Sequence, residues 1–187
     1  MTIETVADLC RHYATPCNDV SAVRVLVRRT SAELELGFRL EGNISRICLT
    51  RRSSPQALVE LWRHICFEAF VEVEGQSAYH EFNFAPSREW GVFGFRAYRY
   101  AVPLATALSA PTVRVNSTDE RLDLDARIVL TDLSAIYSHS PLRLGLSAVI
   151  ESREGTLSYW ALCHPAGKPD FHHADAFALR LEASEFE

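Results

Sequence analysis

The chain has 187 residues, of which 48% are hydrophobic and 23% charged, and its formal net charge at pH 7 is -5. This length is sufficient for one domain with a substantial core, and the composition is typical of a globular protein. The acidic balance argues against a general nucleic-acid binder, which carries a basic patch or stripe, so we expect no nucleic-acid partner.

The sequence also argues against a secreted or membrane-bound protein. The N-terminal residues contain early acidic groups and no apolar segment typical of a secretory signal peptide, and no run approaches the length of about 18 apolar residues that a membrane span needs. The five cysteines are scattered and form no Cys-x-x-Cys pair, which gives no support to a zinc or redox site. We therefore expect a cytoplasmic protein with no membrane contact.

In chain order, the first elements are an ambiguous segment followed by clear strands. Residues 3–14 fit either a short helix or a strand, whereas residues 23–28 and 33–40 alternate between apolar and polar side chains. This period of two places apolar groups on one face of a sheet and charges on the other. A further strand is predicted near residues 45–49, and residues 55–62 fit one helical turn opened by a serine and a proline.

The rest of the chain continues in the same pattern. Residues 121–130 alternate clearly, and residues 131–141 are predicted to form a loop with a helical turn. The other predicted strands lie near residues 66–74, 78–85, 90–98, 112–117, 143–152, 156–163 and 176–182. These roughly ten strands predict an all-β fold, a two-sheet antiparallel β-sandwich with one or two short helical turns. Without a repeat, low-complexity tract or linker, residues 1–187 are expected to form a single domain.

The segment from Leu61 to Tyr98 carries the strongest indication of a ligand site. Alternation places Phe82 and Phe84 in the core, with Glu81 and Asn83 on the opposite face. Together with two tryptophans and one further acid, these polar residues form the candidate cluster: Trp62, Glu68, Glu81, Asn83 and Trp90. Flat aromatic rings beside planar hydrogen-bonding groups suit a polar ligand with apolar patches, above all a sugar. For each residue taken alone, core packing or solvation is the better explanation, whereas the clustering of the five supports a ligand site equally well.

Two blocks of this sequence resemble a known family. Residues 61–71 (LWRHICFEAFV) and 79–90 (YHEFNFAPSREW), with the late block 158–173 (SYWALCHPAGKPDFHH), resemble bacterial DOMON-like proteins, which are related to the DOMON and family 9 carbohydrate-binding module group. The resemblance extends from about residue 20 to residue 182. It implies a β-sandwich that binds a sugar or a haem on one concave sheet.

The resemblance also implies roles for particular residues. Family 9 modules hold a sugar between two tryptophans, and Trp62 with Glu68 matches the first tryptophan and the acidic residue of that pattern. Trp160 is then the candidate for the second tryptophan, and Arg88 or Arg99 for the cationic hydrogen-bond donor.

The loop from His164 to His173 is a second candidate region. It contains His164 and Lys168, and the adjacent Pro165 and Pro169 stiffen the chain. Functional groups concentrate on loops held by a rigid scaffold, so we include both residues among the ligand-binding candidates. The simpler alternative is a surface loop with exposed histidines, and we expect no metal there, because adjacent histidines on an extended chain point to opposite faces.

The sequence gives less support to three other functions. Haem-binding relatives commonly use a methionine and a histidine as ligands, but Met1 is the only methionine, and no histidine pair is singled out for bis-histidine ligation. Glu68 and Glu81 could form an acid–base pair on a sugar, although no hydrolase motif accompanies them. We therefore expect a non-catalytic domain without a cofactor that binds a carbohydrate or polyol. A protein-interaction or scaffolding domain is the alternative.

Overall fold

The computed structural model describes residues 2–49, 60–104 and 108–183. These residues form twelve β-strands, two short α-helices and three 3-10 turns, at Ile44–Arg46, Leu61–Arg63 and Ala174–Ala176. The strands are β1 (Ile3–Arg11), β2 (Val20–Arg29), β3 (Glu33–Gly42), β4 (Cys66–Val73), β5 (Tyr79–Phe84), β6 (Trp90–Ala97), β7 (Tyr100–Val102), β8 (Thr112–Ser117), β9 (Arg121–Val129), β10 (Leu142–Glu151), β11 (Leu157–Ala161) and β12 (Leu179–Leu181). The helices are α1 (Leu130–Leu133) and α2 (Ala135–His139).

The strands form two antiparallel layers that share one strand. The first sheet has the order β1-β2-β3-β9-β8, and the second has the order β7-β6-β5-β4-β10-β11, with β12 paired to β10. Strand β1 belongs to both, because Ile3–Leu9 pair with β2 whereas Cys10 and Arg11 pair with β11. The predicted all-β sandwich is confirmed.

The core lies between the two sheets and follows the alternation in the sequence. On β2 and β3, Val25 and Leu36 are buried while their neighbours Arg24 and Glu35 are exposed. The rings of Phe38 in the first sheet and Phe67 in the second lie 5.2 Å apart, so the two inner faces are in contact. Each fully buried side chain of this size stabilises the fold by roughly 1.5–3 kcal/mol.

Some predicted elements differ from the observed ones. The ambiguous residues 3–14 contain strand β1, and the loop at 131–141 contains α2 and part of α1. The strand predicted at 45–49 is wrong, because the chain leaves the sheet at Gly42 and the amides of Asn43 and Ile44 donate to Asp19 and Asp119. Most of the helical turn predicted at 55–62 lies outside the described residues.

The outer faces of the two sheets differ in chemistry. The first carries surface ion pairs such as Arg24–Asp8 at 2.9 Å and Arg39–Asp123 at 3.0 Å, each worth about 0–1 kcal/mol. The outer face of the second sheet instead carries aromatic and buried acidic side chains, which form the site described below. In the described part of the chain, no helix has the length and apolar character needed to cross a membrane.

Candidate functional site

An open groove of about 890 Å³ runs along the outer face of the second sheet. Its wall is completed by the loop at residues 165–173, which lies above the strands. Its aromatic lining is Trp62, Phe70, Phe93, Phe95, Tyr159 and Phe171, and its polar or charged lining is Arg63, His64, Glu68, Glu81, Arg99 and His172. This set of residues is called the groove below.

Strand register explains how distant residues meet in the groove. Glu68 on β4 lies opposite Asn83 on β5 and Ser147 on β10. Glu81 lies opposite Phe70 on one side and Phe93 on the other. Residues opposite each other on neighbouring strands share a face of the sheet, so these pairings collect the acids and the phenylalanine rings on one surface.

A chain of hydrogen bonds holds Glu81 in the groove floor. The Arg99 amide donates to the Tyr79 hydroxyl at 3.1 Å, and that hydroxyl lies 2.8 Å from Nδ1 of His172. The other ring nitrogen of His172 is 3.5 Å from one oxygen of Glu81, and Asn83 donates to the second oxygen at 2.7 Å. Burial and the charge of Arg99 lower the pKa of His172 to about 4, so the ring is neutral at pH 7.

Glu68 is the least compensated polar group of the groove. Its side chain is almost fully buried, Ser147 donates to Oε2 at 3.2 Å, and Oε1 has no hydrogen-bond partner among the described residues. Burial, reinforced by the nearby Glu81, raises the pKa of Glu68 well above its ordinary value. Burial also raises the pKa of Glu81, although the hydrogen bond from Asn83 and the charge of Arg99 act in the opposite direction. The two acids therefore bind a proton more readily than exposed carboxylates do.

Three cationic or titratable side chains at the groove rim are paired with acids. The Arg99 guanidinium contacts Asp170 at 2.8 Å, Arg63 contacts Glu60 at 2.7 Å, and His64 contacts Glu151 at 2.8 Å. The two rim arginines are therefore engaged by acids other than those of the floor, and Glu68 makes no ion pair with a described residue.

Aromatic rings lie on both sides of the groove. Trp62 is 37% exposed, and its ring packs nearly perpendicular to that of Phe93, with the centroids 5.7 Å apart. On the other side, Tyr159 and Phe171 lie 6.1 Å apart at an angle of 56°. Apolar ring surface on opposite sides of a polar floor is the arrangement that binds a ligand with both apolar and polar faces.

The structure corrects the interpretation of two tryptophans. Trp160 is only 6% exposed, belongs to the core between the sheets and donates to Ser158 at 3.1 Å. Alternation along β11 instead turns its neighbour Tyr159 into the groove, so Trp160 is not the second aromatic wall. Trp90 also packs against the core, whereas Phe93 on the same strand lines the groove.

The remaining predicted residues are divided between the groove and its surroundings. Trp62, Glu68, Glu81 and Arg99 line the groove, and Asn83 lies buried beneath it as a hydrogen-bond donor to Glu81. Lys168 lines a separate depression of about 600 Å³ that shares Arg99 and Pro169 with the groove. Outside the groove, His164 donates to the Cys10 carbonyl at 2.8 Å, and burial lowers its pKa.

Several groove residues were not predicted from the sequence, among them Phe93, Phe95, Tyr159, Phe171 and His172. Phe93 lies opposite Glu81 in the pairing of β5 with β6, and Phe95, two residues further on, points to the same face. Tyr159 points to the face opposite that of its neighbour Trp160. The alternation in the sequence could therefore have indicated all three residues. Phe171 and His172 lie on a loop, where no periodicity places them, and only the folded chain brings them over the sheet.

A metal site requires several donor side chains that converge on one point. Within the residues that the structure describes, no group of three or more histidine, cysteine, aspartate or glutamate side chains is arranged to hold a metal ion. The expectation that the chain needs no cofactor stays a prediction.

Asp170 links the loop at residues 165–173 to Tyr98 and Arg99 beside the groove, so its removal should loosen the loop. It accepts hydrogen bonds from Tyr98 at 2.5 Å, from the Arg99 guanidinium at 2.8 Å and from the His172 amide at 3.1 Å. These bonds lower its pKa although burial acts in the opposite direction. We expect Asp170→Ala to accelerate amide hydrogen exchange at residues 165–173 roughly tenfold, because local opening there becomes about 1.4 kcal/mol easier.

A nearby variant provides the control for this measurement. Asp175 lies close in sequence, has a 69% exposed side chain and does not line the groove. Exchange in Asp175→Ala should therefore match that of the unmodified chain. Equal exchange in the two variants would show that Asp170 does not hold the loop.

Comparison with known proteins shows what fold the chain shares. No protein-family model and no curated protein sequence matches it. A solved structure from Bacteroides uniformis, of a protein proposed to bind carbohydrate, aligns with a TM-score of 0.60 at 14% identity, over 92% of this chain and 83% of that chain.

A family 9 carbohydrate-binding module from Caldicellulosiruptor kristjanssonii is also similar in structure. Its complex with cellotriose aligns with a TM-score of 0.57 at 8% identity, over 89% of this chain and 75% of that chain. Its complex with glucose gives the same TM-score and identity, over 86% and 75%. At such low identity the likeness establishes the fold. The resemblance seen in the sequence is thus supported at the level of fold, and a relationship to DOMON proteins stays a prediction.

Proposed function

We propose that this chain binds a carbohydrate in the groove without altering it chemically. The observation that carries the proposal is an open groove with aromatic rings on its walls and buried, hydrogen-bonded acids in its floor. Sugars present apolar C–H faces and a rim of hydroxyl groups, and this groove offers a complementary surface to each. The modules of the same fold that hold cellotriose and glucose support a saccharide as the ligand class.

Each part of the groove takes a definite role in this proposal. Trp62 on one side and Tyr159 with Phe171 on the other pack against the faces of a sugar ring. The Arg99 guanidinium, fixed by Asp170, donates hydrogen bonds to sugar hydroxyls at the rim. The buried acids orient the hydroxyls that point to the floor, and a preorganised floor reduces the entropy lost on binding.

Trp62→Ala tests this function most directly. We expect the variant to lose about 2 kcal/mol of binding free energy, roughly thirtyfold in Kd, for glucose or cellotriose, because truncation of a central aromatic removes packing area that no neighbour replaces. Binding is measured by isothermal titration calorimetry. Sugar-induced changes in tryptophan fluorescence should also disappear, since the other two tryptophans contact the core.

Ile136→Ala is a matched control, because Ile136 is 40% exposed and lies on α2, away from the groove. It should bind sugars as the unmodified chain does. A broad panel of neutral and charged saccharides that produces no heat and no fluorescence change would contradict saccharide binding altogether.

A further inference from the structure

We propose that the ligand of the groove carries a protonated amine, as an amino sugar does, and that the ammonium group binds at Glu68 and Glu81. This inference rests on the proposed function and narrows the class of saccharide. It is carried by three features of the groove: the two acids in its floor, the pairing of its cations and the rings around it.

The first feature is a pair of acids that the protein itself does not neutralise. Glu68 and Glu81 are 2% and 5% exposed, and both line the groove. One oxygen of Glu68 has no hydrogen-bond partner among the described residues. The final torsion of a glutamate is broad, so the carboxyl can turn either oxygen towards a ligand at low cost. Burying a carboxylate without a counter-ion is expensive, and an ammonium group from the ligand removes that cost.

The second feature is that the arginines of the groove make their ion pairs with other acids, not with Glu68 or Glu81. The guanidinium groups of Arg63 and Arg99 contact Glu60 and Asp170, and the imidazole of His64 contacts Glu151. His172 faces Glu81, but its ring is held by Tyr79 on the other side and is neutral at pH 7. The charge of Arg99 favours the ionised form of Glu81 without forming an ion pair with it, whereas no cation among the described residues acts on Glu68. An ammonium group of the ligand therefore supplies a positive charge that the floor lacks.

The third feature is the aromatic surface beside the acids. Phe70 lies opposite Glu81 in the strand register, and Phe95 and Tyr159 line the same groove. The face of an aromatic ring attracts a cation, and the attraction is stronger where water is excluded. A neutral sugar gains packing from these rings, whereas an ammonium-bearing sugar gains packing and electrostatic attraction together.

The test compares disaccharides that differ in the group on carbon 2 of each ring, which is an amine, an acetylated amine or a hydroxyl. Calorimetry measures the affinity of the unmodified chain for the glucosamine disaccharide, for its N,N′-diacetyl form and for cellobiose, at a pH at which the free amine is protonated. We expect the free amine to bind roughly tenfold or more tightly than either neutral sugar, because a charge-assisted hydrogen bond replaces a neutral one. N-acetylation removes the charge without any change in the protein, so this comparison does not depend on a variant that folds.

The outcomes separate this inference from the function on which it rests. Equal affinity for the three sugars, or tighter binding of a neutral one, would overturn the amine preference and leave saccharide binding intact. No binding of any saccharide would overturn both. A preference for the amine supports both.

Variants of the acids add a second, independent measurement. Glu68→Gln and Glu81→Gln keep the shape of the side chains, and each should reduce the preference for the amine severalfold while cellobiose affinity changes less. Glu154→Gln is the matched control, because Glu154 is about half exposed, pairs with Arg46 and lies outside the groove. A preference that persists unchanged in both groove variants would show that the ammonium binds elsewhere, and would overturn the assignment to these acids.

Discussion

Replacement of Arg29 by Met is expected to lower the free energy of unfolding by about 3–5 kcal/mol, because each buried carbonyl that loses its donor costs roughly 1–3 kcal/mol. Arg29 is fully buried, and its guanidinium donates to four main-chain carbonyls, those of Tyr137, Ser140, Leu181 and Glu182. Burial lowers its pKa to about 10, so the side chain remains charged at neutral pH.

The position of these four carbonyls explains the size of the effect. Two of them lie at the end of α2, where helical carbonyls have no partner within the helix, and two lie at the end of β12. Methionine fills much of the same space but donates no hydrogen bond, so buried acceptors lose their partner. Thermal unfolding followed by circular dichroism should show a decrease in Tm of roughly 6–20 °C for a domain of this size.

The adjacent residue provides a matched control. Arg28 points to the opposite face of β2, is half exposed and pairs with Glu4 on the surface. Arg28→Met should cost no more than about 1 kcal/mol, as is typical of surface ion pairs. Similar losses in the two variants would contradict the role assigned to the buried guanidinium.

Glu68→Gln should have the opposite effect on stability. We expect the variant to be more stable than the unmodified chain at neutral pH, by about 1 kcal/mol or more, because an uncompensated buried acid is replaced by a neutral group of the same shape. The amide can keep the contact with Ser147 that the carboxyl makes at 3.2 Å. The same variant should bind ligand less well, which makes Glu68 a residue that favours binding at the expense of stability.

The pH dependence of this difference follows from the direction of the pKa shift. The pKa of Glu68 is raised from its ordinary value of 4.5 in the folded chain, so the folded state holds the proton more tightly than the unfolded state. The stability that Glu68 contributes through its bound proton is complete below pH 4.5 and is lost as the pH rises towards the pKa of Glu68 in the folded chain. The stability advantage of Glu68→Gln should therefore be small at pH 4 and increase with pH.

His172 titrates in an overlapping range, but in the opposite direction. Its pKa falls from 6.5 to about 4 on folding, so its contribution is present above pH 6.5 and is lost as the pH falls towards 4. Since His172 is retained in both chains, its effect cancels in the difference between them. Urea unfolding measured for both chains across this pH range tests the prediction, and a difference that does not vary with pH would contradict it.

The sequence predicted most of the fold because alternation of apolar and charged residues is a local property. The inward-facing Phe67, Phe82 and Phe84 and the outward-facing Glu68 and Glu81 all follow from a period of two. The same reasoning was insufficient at residues 45–49, because a hydrogen bond between the Asn43 amide and a distant carbonyl at Asp19 redirects the chain.

The candidate site was predicted only in part. Trp62, Glu68, Glu81 and Arg99 were identified from the sequence and line one groove. Trp160 was assigned by resemblance, and the structure places it in the core, since residues 159 and 160 point to opposite faces of β11 and only the pairing with β10 decides which face is outer.

By itself, then, the sequence determined the class of fold, the inner and outer faces of its central strands and the presence of acids beside aromatic rings. Only the tertiary structure decided that Phe171 and His172, from a loop about a hundred residues further along the chain, close over Glu68 and Glu81. It also decided that the nearby arginines are held by Glu60 and Asp170 rather than by the groove acids. The physical reason is that alternation depends on neighbours in the chain, whereas burial and charge pairing depend on residues that meet only when the sheets and loops pack together.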